Sequence, residues 1–402
     1  MKKVAIVGAG QAGLQLAIGL AKENYQITVF SDRSGQDIAS GRIMSNQAMF
    51  ATALQYENEL ALDFWGSSCP DNTSITLSLS QNAKQLINWK SILNKPFKSI
   101  DQRLKFPKWM QEFEALEGTL IVKKIDSNDL EAITNENDLT IISTGKQELS
   151  SLFARDEKKS IHTQPQRSLM CLYVNGIIPE EDQGIRVNIV PQMGEFFIMP
   201  GLTFSGPCEM MLFEAMPQSE FDSWKPTDPS DICLNKAIAL LEKFLPWEAQ
   251  RCKHAKLTDP QAVLVGKYTP IIRHPIAILP SKSLVLGMGD AVVLNDPIAG
   301  QGANNASKCA KIYLDSILSN QSGLFDEAWM QTTFNKFWDE AQWSTKLSNM
   351  LLQPPSKEFL TVLERSKIDS DYSTHLASAF EDPKTFFSWL SELDKSDLGD
   401  TK

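Results

Sequence analysis

The feature that most constrains the fold lies in the first forty residues. Lys3 to Val7 is a short, mostly β-branched run that reads as a strand buried on both faces. Gly8-Ala9-Gly10-Gln11-Ala12-Gly13 follows at once, then a helical stretch from Leu14 to Ala21. A second strand, Gln26 to Phe30, ends at Ser31-Asp32-Arg33. The order is strand, G-x-G-x-x-G, helix, strand, acid. Gly8 permits the tight turn, Gly10 lets backbone approach a pyrophosphate, and Gly13 lets the helix pack on the strand. The helix N-terminus offers free N–H groups and a positive dipole end to the phosphates. Asp32, about twenty residues further on, can accept hydrogen bonds from a ribose hydroxyl. Such a chain is α/β and opens on a Rossmann-like dinucleotide-binding unit. The loop alone does not choose between FAD and NAD, and standing by itself it would equally suit a structural turn.

A second glycine motif lies nearly three hundred residues on. Ser283 to Leu286 reads as a buried strand, with Gly287-Met288-Gly289-Asp290 at its carboxyl end, where ligands of open α/β sheets bind. Asp296-Pro297 then leads to Gly300-Gln301-Gly302-Ala303-Asn304, which opens another helix. A third strand, Asp138 to Ser143, ends in Thr144-Gly145.

Composition removes several alternatives. The chain has 402 residues, 42% of them apolar and 22% charged, which is the profile of an ordinary globular protein. A formal net charge of -10, with no basic patch interleaved with aromatics, argues against nucleic acid as a partner. The 6 cysteines form no C-x-x-C pair and read as reduced, buried thiols. The 4 histidines have no ligand spacing, so no metal site is expected. Lys2 and Lys3 precede an apolar stretch that glycines and Lys22-Glu23 break at once, which is not a signal peptide. With no apolar run of transmembrane length, the expectation is a cytoplasmic protein without a membrane partner. Neither G-x-S-x-G nor H-E-x-x-H occurs, so no side-chain nucleophile is expected.

Both glycine motifs together resemble the flavoprotein hydroxylases similar to p-hydroxybenzoate hydroxylase. That resemblance implies FAD. Asp290, after Gly289, would hold the ribityl chain, and Pro297, Gly300, Gln301, Gly302, Ala303 and Asn304 would line the flavin. A helix N-terminus there suits the negative charge that reduced flavin carries. Arg42 and Arg103 stand where the family places an arginine near the flavin or its phosphates, though either equally suits a surface arginine.

Across nearly the whole chain the sequence is similar to the two-component styrene and indole monooxygenases. The carrying stretches are V-G-A-G-Q-A-G-L (7–14), S-D-R (31–33), S-T-G-K (143–146), P-Q-R-S-L (165–169), residues 194–206, and residues 286–304. The resemblance implies that a separate NADH-dependent flavin reductase supplies reduced FAD (FADH2), and that one atom of O2 goes to an aromatic C=C bond. The second fingerprint for NAD(P)H does not occur; its place reads S-T-G-K.

The same resemblance places substrate selection after Arg42. Styrene epoxidases carry Asn, Val and His where this chain has Ser45, Gln47 and Met49, a pattern that resembles the indole branch. Indole has a ring N–H that styrene lacks, and burying that donor unpaired costs roughly 1–3 kcal/mol. Gln47 or Ser45 can accept it, and Met49 offers a flexible apolar contact; the plain alternative is that all three only pack. Phe204 and Pro297 are expected to complete the pocket. Asn46 is the candidate to orient substrate or polarise the activated oxygen. Alternatives are a styrene epoxidase, a single-component NAD(P)H-dependent hydroxylase, and a flavin-binding protein without turnover.

A discontinuous FAD domain is expected from 1–70, 96–160 and 265–320. An antiparallel β domain for substrate is expected from 71–95 and 161–264, on alternating stretches such as Ser74 to Leu79. Residues 321–402 read as helical: Trp338, Trp343, Leu347 and Leu351 recur at near-helical spacing, a stripe more suited to core than to a cofactor. Pro354-Pro355 breaks that run, and the charged tail Leu393–Lys402 is expected to fray.

Overall fold

The structure is a computed structural model that describes residues 2–45, 47–145, 148–180, 183–320 and 323–393. Its first sheet has six strands in the spatial order Ile276–Ile278, Leu284–Gly287, Leu139–Ile142, Lys3–Val7, Gln26–Ser31, Thr119–Val122. All neighbours run parallel except the Ile276–Ile278 edge. Val4, Ala5 and Ile6 have no exposure, as a central parallel strand covered on both faces requires. From Lys3–Val7 the chain steps one way to Gln26–Ser31 and later the other way to Leu139–Ile142. That reversal opens a crevice beyond the carboxyl ends of the two central strands. The Gln11–Lys22 helix seats on this sheet with residues 11–20 all buried. A Cβ on Gly13 would lie 2.0 Å from the Gly8 carbonyl oxygen, so nothing larger than glycine allows that seat.

The second sheet has eight strands. Seven follow the order Lys256–Leu257, Ser168–Asn175, Gly206–Ala215, Gly194–Thr203, Gly184–Val190, Asn72–Gln81, Lys84–Phe97; Val263–Gly266 also pairs with Ser168–Asn175. It is antiparallel apart from the pairing of Asn72–Gln81 with Gly184–Val190. Side-chain alternation gives it two apolar faces. Met170, Leu172, Phe196, Ile198 and Phe213 enter a core under the Ser230–Phe244 helix. Leu169, Cys171, Phe197, Met199 and Leu212 point the other way, into the cavity described below.

The C-terminal region closes the other side. Glu327–Leu351 is a 25-residue helix that ends before Pro354-Pro355, and Lys357–Arg365, Ser370–Ser378 and Pro383–Glu392 follow. Leu347, Leu376, Phe386 and Phe387 share a core with Ile75, Trp89, Val187 and Phe197 of the second sheet. Trp338 packs on the first core and Trp343 on this one, so the aromatic stripe is core packing. The tail expected to fray lies, beyond Leu393, outside the described residues. Among the described residues no helix is long and apolar enough to cross a membrane.

Candidate active site

One cavity of about 980 Å³ runs from the switch point of the first sheet to the inner face of the second. Gly8 to Ala12, Ser31, Asp32 and Arg33 wall one end, joined by Thr144, Gly145 and Asp290. Gly10 faces open space: a Cβ there would meet nothing within 4 Å. The N-terminus of the Gln11–Lys22 helix has no side-chain cap and no acid in its first turn, so its N–H groups stay available to an anion.

At mid-cavity a second helix presents the same kind of end. Gly302–Leu318 begins on the wall without a side-chain cap, after Gly300, which has a left-handed φ of 62°. Arg42, Pro297, Gly300, Gly302 and Ala303 surround this point. Two open helix N-termini and an open glycine cradle on one continuous wall fit an elongated ligand with a pyrophosphate and a ring that gains negative charge. A flavin dinucleotide is such a ligand. No cluster among the described residues could hold a metal.

The far end is apolar, lined by Ile75, Leu93, Val187, Phe197, Met199 and Leu212. Ala377 and Phe380 of the C-terminal region close it. Ser45 and Gln47 sit on this stretch of wall. The Ser45 carbonyl accepts a hydrogen bond from the Tyr173 hydroxyl at 2.7 Å. Gln47 is buried, and its Oε1 has no partner among the described residues.

Several residues expected at the site stand elsewhere. Arg103 is 2% exposed and off the wall. Its guanidinium forks onto Asp101 (2.7 Å) and Asp259 (2.8 Å) and also donates to the Gly41 carbonyl. Two carboxylates at such range satisfy it, so it is a clamp between segments rather than a phosphate ligand. Phe204 is 51% exposed, with its ring 5.4 Å from that same guanidinium, and takes no part in the pocket. Met49 is buried but off the wall; its backbone pairs with Lys98. Asn304 does not line the cavity: its amide donates to the Ala48 and Gly300 carbonyls and accepts from the Phe50 N–H, pinning segment 48–50 to the glycine loop. Gln301 likewise donates to the Ala299 and Phe380 carbonyls. Gly13 and Gly289 act behind the wall, Gly289 by letting its turn close on Ala12. Asn46 lies outside the described residues.

Sequence reading missed an acid. Glu214, on strand Gly206–Ala215, is fully buried, lines the apolar end, and neither carboxyl oxygen has a partner among the described residues. Leaving such a group unpaired costs about 1–3 kcal/mol. Burial first, then Asp296 and Glu195, push its carboxyl well above the usual carboxylate range, against the pull of Arg167. Asp296 itself is pushed up to about 6, mainly by burial. Arg167 is already committed, holding Glu195 at 2.7 and 2.9 Å. The signal was present in sequence: within C-E-M-M-L-F-E-A, position 214 shares the inward face with Leu212.

A family model described as "Styrene monooxygenase A putative substrate binding domain" matches residues 145–251. Styrene monooxygenase StyA of Pseudomonas fluorescens is 26% identical, over 97% of this chain and 98% of that protein. Among solved structures, the flavin-dependent brominase Bmp2 superposes with a TM-score of 0.67 at 15% identity, covering 98% of this chain and 99% of that one. A flavoprotein/dehydrogenase from Cytophaga hutchinsonii gives 0.68 at 11% identity, covering 98% and 94%. With the crevice, the paired helix ends and the apolar chamber, these matches define the class: a flavin-dependent monooxygenase with the p-hydroxybenzoate hydroxylase-like fold. Within that class the chain is similar, over nearly its full length, to styrene monooxygenases.

Proposed function

We propose that this protein takes reduced FAD from a separate NADH-dependent flavin reductase and uses O2 to epoxidise indole at C2=C3, a product that opens and oxidises onward to indigo. The observation that carries the substrate assignment is Gln47: a buried carbonyl oxygen without a partner among the described residues, on the wall of a largely apolar chamber. An N–H donor from the substrate would complete it. The reductase and the reduced state of the cofactor rest on the family resemblance. Bound reduced flavin would activate O2 and supply one oxygen atom.

The chain's own residues do the rest. The N-terminal loop, Gly8 to Ala12, would hold the pyrophosphate of a bound FAD, with Ser31, Asp32 and Arg33 for its adenosine and Thr144, Gly145 and Asp290 for its ribityl chain. The Gly302–Leu318 helix end would stabilise negative charge on the reduced ring. Phe380 and Ala377 keep water from the chamber, which protects an activated oxygen from wasteful release. Asn46, beside Ser45, is the proposed orienting side chain.

The test is purified protein with FAD, NADH, an unrelated flavin reductase, catalase and indole. Blue pigment should form only with the reductase present. Pigment without it would point to a single-component hydroxylase. Gln47→Val should lower the indole-to-styrene rate ratio roughly five- to hundredfold, the equivalent of one buried hydrogen bond; an unchanged ratio would end its recognition role. The rival is epoxidation of styrene, favoured by the relatives' names and by the hydrocarbon lining. It predicts styrene oxide and no pigment.

A further inference from the structure

Among the described residues of the second sheet, the wall of the chamber carries one ionisable acid, Glu214, set among Leu169, Cys171, Phe197 and Leu212. It is fully buried and its two oxygens meet no donor. The groups around it cannot supply one. Glu195, its register partner on the neighbouring strand, occupies Arg167 at 2.7 and 2.9 Å. Asp296, on the loop before Pro297, is another acid. Tyr268, after strand Val263–Gly266, also lies on the wall and has a contact of its own. Three carboxyls therefore face one guanidinium, whose fork is on Glu195 and which makes no hydrogen bond to Glu214. An acid held this way lacks a hydrogen-bond donor, and the open side from which one could come is the chamber.

We propose that Glu214 determines specificity: its carboxyl accepts a hydrogen bond from a nitrogen-bound hydrogen of the substrate, so the pocket selects an N–H heteroaromatic over a hydrocarbon of the same outline. This deepens the indole reading and rests on it: indole has a single N–H, for which Gln47 and Glu214 on the same wall are joint or rival acceptors, and the variants below separate them. The carbonyl oxygen of the neutral acid still accepts, though more weakly than a carboxylate oxygen, so recognition does not require the charged form. Ionisation instead brings a charge into an apolar wall beside Glu195 and Asp296, which weakens the binding of hydrocarbons.

The experiment measures equilibrium binding of indole, 1-methylindole and indene to the FAD-loaded enzyme, from acid to alkaline pH. Wild type should bind indole about ten-fold more tightly than the other two. Glu214→Leu should bring the three together, and Glu214→Gln, which keeps an acceptor, should restore the order. Indene binding should weaken with rising pH in wild type and stay level in Glu214→Gln. A full preference for indole in Glu214→Leu would overturn the proposal. Should that variant not fold, a pH profile of Glu214→Gln identical to wild type would overturn it equally. Loss of preference in Gln47→Val but not in Glu214→Leu would leave the indole reading standing and remove Glu214. Preference lost in Glu214→Leu, with no pigment from wild type and reductase, would keep Glu214 and remove indole as the reacting substrate.

Discussion

Arg103 shows what a single residue can hide. The family resemblance puts it near the flavin or its phosphates, in keeping with arginine's usual fork onto such groups, and it stands at the start of helix Gln102–Ala115. Nothing local reveals Asp259, 156 positions away, which takes one side of the guanidinium while Asp101 takes the other. Asp101 has no exposure, so removing its cation strands a charge in the interior. Arg103→Leu should therefore cost about 3–5 kcal/mol of stability, read from the urea midpoint. The flavin dissociation constant of the folded fraction should hardly change. A selective loss of flavin affinity at normal stability would restore the phosphate role. Glu214 was missed for the converse reason. Alternation gives the face of position 214, but whether a donor waits there depends on Arg167, Glu195 and Asp296, which only the tertiary fold assembles.

At the scale of elements, legibility followed local chemistry. The strand–glycine–helix unit at Lys3–Lys22 and the loop before Gly302–Leu318 could be read directly, because turn, close packing and open helix end each demand glycine in fixed order. The closing contacts of the C-terminal helices could not, since they join elements remote in sequence. Glu381 is the main example. Its carboxylate accepts from the Ala51 and Thr52 N–H groups at 2.8 and 2.9 Å, capping helix Ala51–Glu59 from another part of the chain. Its neighbour Phe380 forms part of the chamber wall, and the Phe380 carbonyl is held by Gln301. Glu381→Ala should destabilise the protein by about 1 kcal/mol, the usual worth of a helix cap. It should also raise the hydrogen peroxide released per NADH consumed in the reductase-coupled assay. Unaltered coupling would mean that the seal does not depend on this cap.

For the whole molecule, the buried acids set a pH dependence. Glu214 and Asp296 both titrate higher in the folded protein than in an unfolded chain. Their contribution to stability is complete below the unfolded carboxylate values of about 4. It is lost as pH rises through about 6, where Asp296 ionises, and above. The thermal midpoint should therefore carry a falling component across that range. Glu214→Gln, which cannot ionise, should show a shallower fall. A curve parallel to wild type would show that the pair is relieved by other means.

The cavity draws its wall from Gly8 at one extreme and Phe380 at the other, with the second open helix end supplied only after residue 300. Synthesis runs in that same direction. A growing chain exposes its glycine loop first, and the strand Leu284–Gly287 and the second helix end leave the ribosome nearly three hundred residues later. A flavin dinucleotide held along this wall would therefore be captured whole only after that later segment has folded.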